Sequence, residues 1–320
     1  MKSVVRIEVA LLALVMAACG SEEPLGAGKT PGHDAANADG VPGDAGVGDL
    51  DGADGAACSP GAHWKPGDAA YKDATDAWGL QGVRGARMNA ADFDGDGWTD
   101  LLVHGGGTNQ WAKGGNRDTW LLRNTGKGTF EDVTQASGLL QRRLAPSADE
   151  GHGASVFVAG DVDNDGDIDF FLGRSLAASA TATESSEILL GDGKGHFNLG
   201  PADNPLRGVG QAAVPTSAAF VDFDRDGFLD LWVVHNMAGG AQQPLQDRLW
   251  RGDGTGRFVD VTKDVGLSTL SWYSAKVLNE ARGHAWAWAA TACDLNNDGL
   301  DELLSASYGR VPNQLWQAEL

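Results

Sequence analysis

Four short stretches of this 320-residue chain place oxygen-bearing side chains at alternate positions and then a glycine. The first runs from Asp92 to Asp100, and the others begin at residues 161, 222 and 294. In each loop, positions 1, 3, 5 and 9 carry a carboxylate or an amide, and position 6 is a glycine. Such a loop suits a hard cation, and Ca²⁺ is the ion that it fits best. The predicted ligands are Asp92, Asp94, Asp96, Asp100, Asp161, Asp163, Asp165, Asp169, Asp222, Asp224, Asp226, Asp230, Asp294, Asn296, Asp298 and Glu302.

The loops differ from the helix-flanked calcium loop of an EF-hand. That motif closes its site with a bidentate Glu at position 12 and has a helix on either side. The flanking sequences here are strand-like, and the four residues at position 12 are Val103, Leu172, Val233 and Ser305. The EF-hand is therefore excluded.

An acidic surface turn without a metal is the alternative to a calcium loop. Two carboxylates about 5 Å apart repel each other by roughly 3 kcal/mol at an effective dielectric constant of ~20. Four converging groups would not stay folded without a cation. An ion bound only by the native state, at a hundredfold excess over Kd, adds about 2.7 kcal/mol of stability. We therefore expect Ca²⁺ to have a structural role, with direct bridging of a ligand as the alternative, and the loop with Asn296 to be the weakest site.

The charge of the chain points in the same direction. The formal net charge is −20, which argues against nucleic acid as a partner because its phosphates would be repelled. The predicted ligand positions contribute fifteen carboxylates and one amide, and four Ca²⁺ ions would bring the net charge from −20 to −12. Much of the acidity is thus explained as metal sites.

Each loop lies in a larger repeated unit of the same design. A small apolar strand precedes the loop, a second strand follows it, and a variable Gly- or Ser-rich stretch leads to a third strand. A tight turn then starts a fourth strand, as in residues 120–130, 188–197 and 248–258. Four short strands joined by hairpins form one blade of a β-propeller, so the fold class is predicted to be all-β. Helices should be few, with residues 275–282 as a candidate.

The units resemble a known repeat family. Residues 126–139 and 254–267 share the pattern Gly-x-Gly-x-Phe-x-Asp-Val-Thr-x-x-x-Gly-Leu. Together with the four Asp-rich loops, this pattern resembles the FG-GAP or VCBS-type repeat of the integrin α-chain head, and especially the cartilage acidic protein and ASPIC/UnbV-type group. The resemblance covers residues 71–320 and implies a β-propeller that binds Ca²⁺ between the first two strands of a blade. The family's C-terminal ASPIC/UnbV domain is not visible, and the family more commonly has seven blades.

The two ends of the repeat region predict how the propeller closes. Residues 71–80 match the ending of a fourth strand without a preceding loop, whereas the last unit stops at its third strand, residues 313–316. The natural inference is closure of a four-bladed ring by the N-terminal strand, which removes the exposed edges. The alternative is a partial propeller. The predicted propeller domain is residues 64–320.

The N-terminal region predicts export. Residues 1–19 have two basic residues, an apolar run over residues 9–18 and then Cys19, which resembles a bacterial lipobox with Cys19 as the lipidated residue. An ordinary cleaved signal peptide is the alternative. Residues 20–63 are rich in Gly, Ala and Asp, and are predicted to be a disordered tether. The protein is expected at the outer membrane, cell surface or periplasm, in contact with a membrane only through its lipid. Cys58 and Cys293 then form a disulfide or remain two independent thiols.

Candidate catalytic residues are few. His152 and His284 each enter a first strand near one rim of the predicted channel, with rim packing as the alternative. Four tryptophans in or near variable segments offer stacking surfaces for a sugar, with core packing as the alternative: Trp111, Trp272, Trp286 and Trp288. The sequence has no nucleophile elbow, zinc-ligand cluster or phosphate-binding loop. The chain is therefore predicted not to be an enzyme.

The leading functional hypothesis is a calcium-stabilised, extracytoplasmic binding or adhesion module whose ligand is a protein or a glycan. Recognition would lie in the variable segments, because loops on a rigid scaffold commonly carry it. These segments are residues 105–117, 175–186, 236–245 and 268–282. The alternatives are a polysaccharide-degrading enzyme of the lyase-like propeller type and a purely structural envelope component.

Overall fold

The computed structural model describes residues 65–67, 69–105, 117–143, 153–175, 185–208, 213–236, 245–270, 283, 286–308 and 313–319, together with the backbone of 109–110 and 150–151. Several sequence predictions fall outside these residues and stay predictions. They are the signal peptide with Cys19, the tether, Cys58, the helix at 275–282, His152, His284, Trp111 and Trp272. Within the described ranges, no helix is long and apolar enough to cross a membrane.

The described chain is all-β, as the sequence predicted, and is built from antiparallel sheets that follow one another along the sequence. The first sheet contains β1 (Arg87–Ala91), β2 (Asp100–His104), β4 (Thr119–Asn124) and β5 (Phe130–Asp132). The second contains β7 (Val156–Gly160), β8 (Asp169–Gly173), β9 (Glu187–Gly191) and β10 (Phe197–Leu199). The third contains β11 (Pro215–Val221), β12 (Asp230–His235), β13 (Arg248–Gly252) and β14 (Phe258–Asp260).

The fourth sheet has three strands, β15 (Ala287–Cys293), β16 (Glu302–Ser307) and β17 (Gln314–Trp316). A small ladder pairs β3 (Asn109–Gln110) with β6 (Glu150–Gly151), and a 3₁₀ helix spans Pro205–Arg207. Strand order within each large sheet follows the chain, so neighbouring strands are joined by hairpin connections. This arrangement fits that of propeller blades.

Apolar clusters join consecutive sheets face to face. Leu102 and Leu121 of the first sheet pack with Phe157 and Phe170 of the second. In the same way Phe171 packs with residues of the third sheet, and a third cluster holds the third and fourth sheets together. Strands β8 and β12 are buried along their whole length because both faces of their sheets are covered. Among the described residues, no buried apolar cluster joins the fourth sheet to the first.

The predicted closure by the N-terminal segment is not formed in the described structure. Residues 71–80 form turns and contain no strand, and no fourth strand lies beside β17. The segment lies instead against the first sheet, where the rings of Trp78 and Phe130 are 5.6 Å apart and Phe130 N–H donates to the carbonyl of Trp78 at 3.1 Å. These two contacts with Phe130 hold the segment against the first sheet.

Cys293, one half of the predicted disulfide, is the last residue of β15 and is half-buried. Its Sγ lies 3.9 Å from the carbonyl oxygen of Asp294. Because Cys58 is outside the described residues, the disulfide stays a prediction.

Candidate metal centre

The backbone of each loop folds around the carboxylate at position 1. Asp92 accepts the backbone N–H groups of Asp96 at 3.2 Å and of Gly97 at 2.8 Å. Asp161, Asp222 and Asp294 accept the equivalent pairs in their own loops. The glycine at position 6 has a positive φ in all four loops, for example 86° at Gly97, as the predicted sharp turn requires.

The carboxylate at position 9 connects the loop to the end of the third strand. Asp100 is buried, and it accepts the N–H of Phe93 at 3.0 Å and the N–H of Asn124 at 2.7 Å. Asp169 and Asp230 accept the corresponding N–H groups of loop position 2 and of the third strand. Sequence analysis assigned these residues only as ligands and missed this bracing role. Repetition of the Asp 22 to 24 residues before the third strand's last residue is a signal that could have indicated it.

Burial shifts the ionisation of these bracing residues. Loss of hydration raises the pKa of Asp169 to about 6 and that of Asp230 to about 7, and the two backbone N–H donors only partly oppose the shift. Neighbouring loop carboxylates raise both values further because like charges disfavour ionisation. The loops thus concentrate negative charge that a cation would neutralise.

Three of the four loops bring carboxylate oxygens close enough to share one metal ion. In each of three sets, one oxygen per residue lies within 4.8 Å of the others. The sets are Asp92, Asp94 and Asp96; Asp161, Asp163 and Asp169; and Asp222, Asp224 and Asp230. They bring together nine of the sixteen predicted ligands and do not include Asp100, Asp165, Asp226 or the four residues of the last loop.

The second loop contains an unsatisfied oxygen at its centre. Asp163 Oδ1 is buried and has no hydrogen-bond partner among the described residues. Burial, followed by the charges of Asp165 and Asp161, raises the pKa of Asp163. An unpaired buried carboxylate oxygen is costly, and coordination of a cation would remove that cost. The residues present therefore fit a metal ion that prefers oxygen ligands.

The last loop is arranged differently. The side-chain amide of Asn296 donates to Asp298 at 2.9 Å and to Glu302 at 3.4 Å. These hydrogen bonds occupy carboxylate oxygens of Asp298 and Glu302, whose counterparts in the other loops are predicted cation ligands. Glu302 still braces its loop by accepting the N–H of Leu295 at 2.9 Å. This geometry supports the expectation that the fourth loop binds metal most weakly.

Neighbouring loops are linked by the side chain at position 4. Asn164 Nδ2 donates to the carbonyl of Gly227 in the next loop at 2.8 Å, and Arg225 donates to the carbonyl of Gly299 in the last loop. Both donors have a positive φ of 58°. The first loop has Gly95 at this position and cannot make the same link. Sequence analysis did not predict these links.

A buried polar pair lies at the opposite end of the third sheet. Asp247 accepts the backbone N–H of His235 at 2.8 Å, and burial raises the pKa of Asp247 to about 8. Burial lowers the pKa of His235 to about 3 and that of His104 to about 4, so both imidazoles are neutral at pH 7. Asn313 accepts the N–H of Ser307 in the same way at 2.9 Å, so the third and fourth sheets share this structural hydrogen bond.

The tryptophans considered for sugar stacking are divided by the structure. Trp288 is exposed and its ring lies 5.5 Å from that of Tyr308. The indole nitrogen of Trp286 is buried. Trp288 is thus the more exposed of the two, and Trp286 is half-buried.

Comparison of the chain with models of known protein families and with curated proteins finds no match. The resemblance to FG-GAP or VCBS repeats rests on the repeated loops and strands of the sequence, and membership of that family stays a prediction.

Proposed function

We propose that this protein is a calcium-stabilised binding module of the FG-GAP/VCBS propeller type, which acts outside the cytoplasm and recognises a protein or glycan without transforming it. The observation that carries the proposal is a division of labour between the two ends of the sheets. One end has the Asp-rich loops, and the other has the attachment points of the variable segments.

The loop end is suited to hold an ion. The β1–β2 loop packs on the β4–β5 turn, where Asn124 Nδ2 donates to the carbonyl of Thr99 at 3.0 Å. Asp163 and its neighbours supply only oxygen ligands, which favours Ca²⁺ over metals that prefer nitrogen or sulfur. Bound there, the ion would neutralise the converging carboxylates and fix the first two strands of each blade. The chain's own contribution is the network of N–H donors that orients those carboxylates.

The opposite end is suited to recognition. The connection between two adjacent antiparallel strands leaves and re-enters the sheet at the same end of the strands. The variable segments leave the described chain at residues 105, 175 and 236 and return at residues 117, 185 and 245. These attachment points lie at the end of the strands opposite the Asp-rich loops. Loops attached to a rigid scaffold are the usual basis of a binding surface.

Export and lipid anchoring through Cys19 complete the proposal. The apolar run before Cys19 is too short to span a bilayer, and the acidic tether would hold the folded part clear of a membrane. A calcium-replete, extracytoplasmic setting would keep the loops loaded.

Binding and turnover are distinguished in one experiment. The protein in Ca²⁺ buffer is applied to arrays of glycans and extracellular proteins, and every glycan is analysed for cleavage by mass spectrometry. A variant with residues 237–244 replaced by a Gly-Ser linker of equal length should lose binding but keep its melting temperature. The control Lys127→Ala, at the loop end, should bind normally. Cleavage of a glycan, or unchanged binding by the linker variant, would contradict the proposal.

A further inference from the structure

The outer face of the fourth sheet is uncovered, whereas the corresponding positions of the first, second and third sheets are buried. Strand register makes Leu315 the counterpart of Leu121, Ile188 and Leu249. Each of these three is 1% exposed because the next sheet covers it, whereas Leu315 is 59% exposed. Leu315 thus lies on a surface shaped to receive a further sheet of the same repeat.

The first sheet is uncovered on the opposite face, the one that a preceding sheet covers in the other three sheets. Met88 lies four residues before its loop, as do Phe157, Ala218 and Ala290 in the other sheets. Those three are 3%, 8% and 5% exposed because the preceding sheet covers them, whereas Met88 is 60% exposed. The first sheet therefore presents the face that normally receives a preceding sheet.

The turn before the first sheet repeats the element that closes a blade. Thr75 N–H donates to Asp73 at 2.9 Å, as Thr134 N–H donates to Asp132 at 3.2 Å. In the first sheet, Thr134 Oγ1 then accepts the N–H of Leu121 in the third strand at 2.7 Å. The third sheet has the same contact between Thr262 and Leu249 at 3.0 Å.

Thr134 and Thr262 each form a latch, a threonine that accepts an N–H of the third strand of its sheet. Thr75 is a third copy of this latch, and the matching third strand is β17. Leu315 is the residue of β17 that corresponds to Leu121. Tyr71, at the place of Phe130 in its own copy, is 95% exposed. Latch and strand are both present in the chain, and they are not joined in the described structure.

We propose that a second copy of this chain covers the fourth sheet: the turn at residues 73–80 and the first sheet of one copy dock on β17 and the outer face of the other. The two surfaces are complementary by the same contacts that already hold consecutive sheets together. The contact is head-to-tail, and it gives a finite assembly when two copies reciprocate it. This inference does not depend on the proposed function.

The mass of the full chain in Ca²⁺ buffer is the first test. Analytical ultracentrifugation should give a species of at least twice 33.3 kDa. Leu315→Glu should raise the dissociation constant about tenfold or more, because it places a charge at the centre of the contact. The matched control is Val259→Glu, a residue 52% exposed on β14, which should leave the mass unchanged. A monomer at all concentrations, or an assembly that survives Leu315→Glu, would overturn the proposal.

A disulfide trap identifies the occupant. Phe130 faces Asn124 and Phe258 faces Gly252 across the strand pair, and the corresponding pair is Tyr71 and Ala318. A mixture of Tyr71→Cys and Ala318→Cys chains should form a mixed disulfide dimer, since facing Cα atoms are about 5.5 Å apart. Each variant oxidised alone controls for the native cysteines. The double variant tests the other occupant, and an internal disulfide in a monomer would show that the chain's own first sheet covers the face.

Discussion

Asn164 Nδ2 donates to the carbonyl of Gly227 at 2.8 Å, and this hydrogen bond joins the second Asp-rich loop to the third across 63 residues of sequence. Gly227 in turn donates its N–H to Asp222, the first carboxylate of its own loop. The peptide groups around Gly227 therefore connect one Asp-rich loop to the folding of the next.

Removal of this link should destabilise the protein. Asn164→Gly keeps the backbone conformation, because glycine adopts a positive φ without strain, but removes the amide. The expected loss in the free energy of unfolding is about 1 kcal/mol. The matched control is Asn297→Gly, at the same loop position with a φ of 60°. Equal destabilisation in urea titrations of both variants would argue against the link.

Chelation should destabilise the protein far more. Each loaded loop adds about 2.7 kcal/mol at a hundredfold excess of Ca²⁺ over Kd, so EDTA should lower the melting temperature by many degrees. Asp163→Asn should remove about one site's share of this Ca²⁺ effect, whereas the exposed Asp264→Asn should remove none. Differential scanning calorimetry with and without EDTA gives the comparison. An unchanged melting temperature in EDTA would rule out calcium stabilisation.

The fourth loop should gain affinity from a single oxygen. Asn296→Asp replaces the amide that occupies the carboxylates of Asp298 and Glu302 with a further ligand oxygen. Calcium titrations followed by calorimetry should then show one more tight site than the wild type. Asp224→Asn, in a loop with a complete carboxylate set, should remove one tight site. The idea fails if Asn296→Asp leaves the number of tight sites unchanged.

Asp247 should make stability fall as the pH rises. Burial raises its pKa from 3.8 to about 8, so between these values the folded protein holds a proton that the unfolded chain has released. The free energy of unfolding therefore decreases with pH, by up to about 1.4 kcal/mol per unit. Asp247→Asn keeps an acceptor for His235 and removes this dependence. Its stability relative to wild type should increase from pH 5 to pH 8 in urea titrations at constant Ca²⁺. A constant difference between the two proteins across this range would contradict the protonation of buried Asp247.

Local spacing explains what sequence analysis predicted correctly. Alternate Asp residues followed by Gly97 specify a loop, since a glycine is needed where φ is 86°. Short apolar runs on either side specify strands, and their repetition indicates consecutive blade-like sheets. None of these inferences requires knowledge of which distant residues meet.

The missed or altered features all depend on distant partners. Asp100 braces Asn124 because the third strand ends beside the loop, and Asn164 reaches the carbonyl of Gly227 because the second and third loops are neighbours. Burial of Asp247 results from packing between sheets, which strand periodicity does not report.

The sequence by itself determined the Asp-rich loops, the all-β class and the order of the repeated units, because each follows from residue types within a few positions of one another. Only the tertiary structure decided that residues 71–80 lie on the first sheet and that Leu315 stays exposed. Two segments with the same local pattern can pair in more than one way, and their pairing is selected by the faces that packing leaves uncovered.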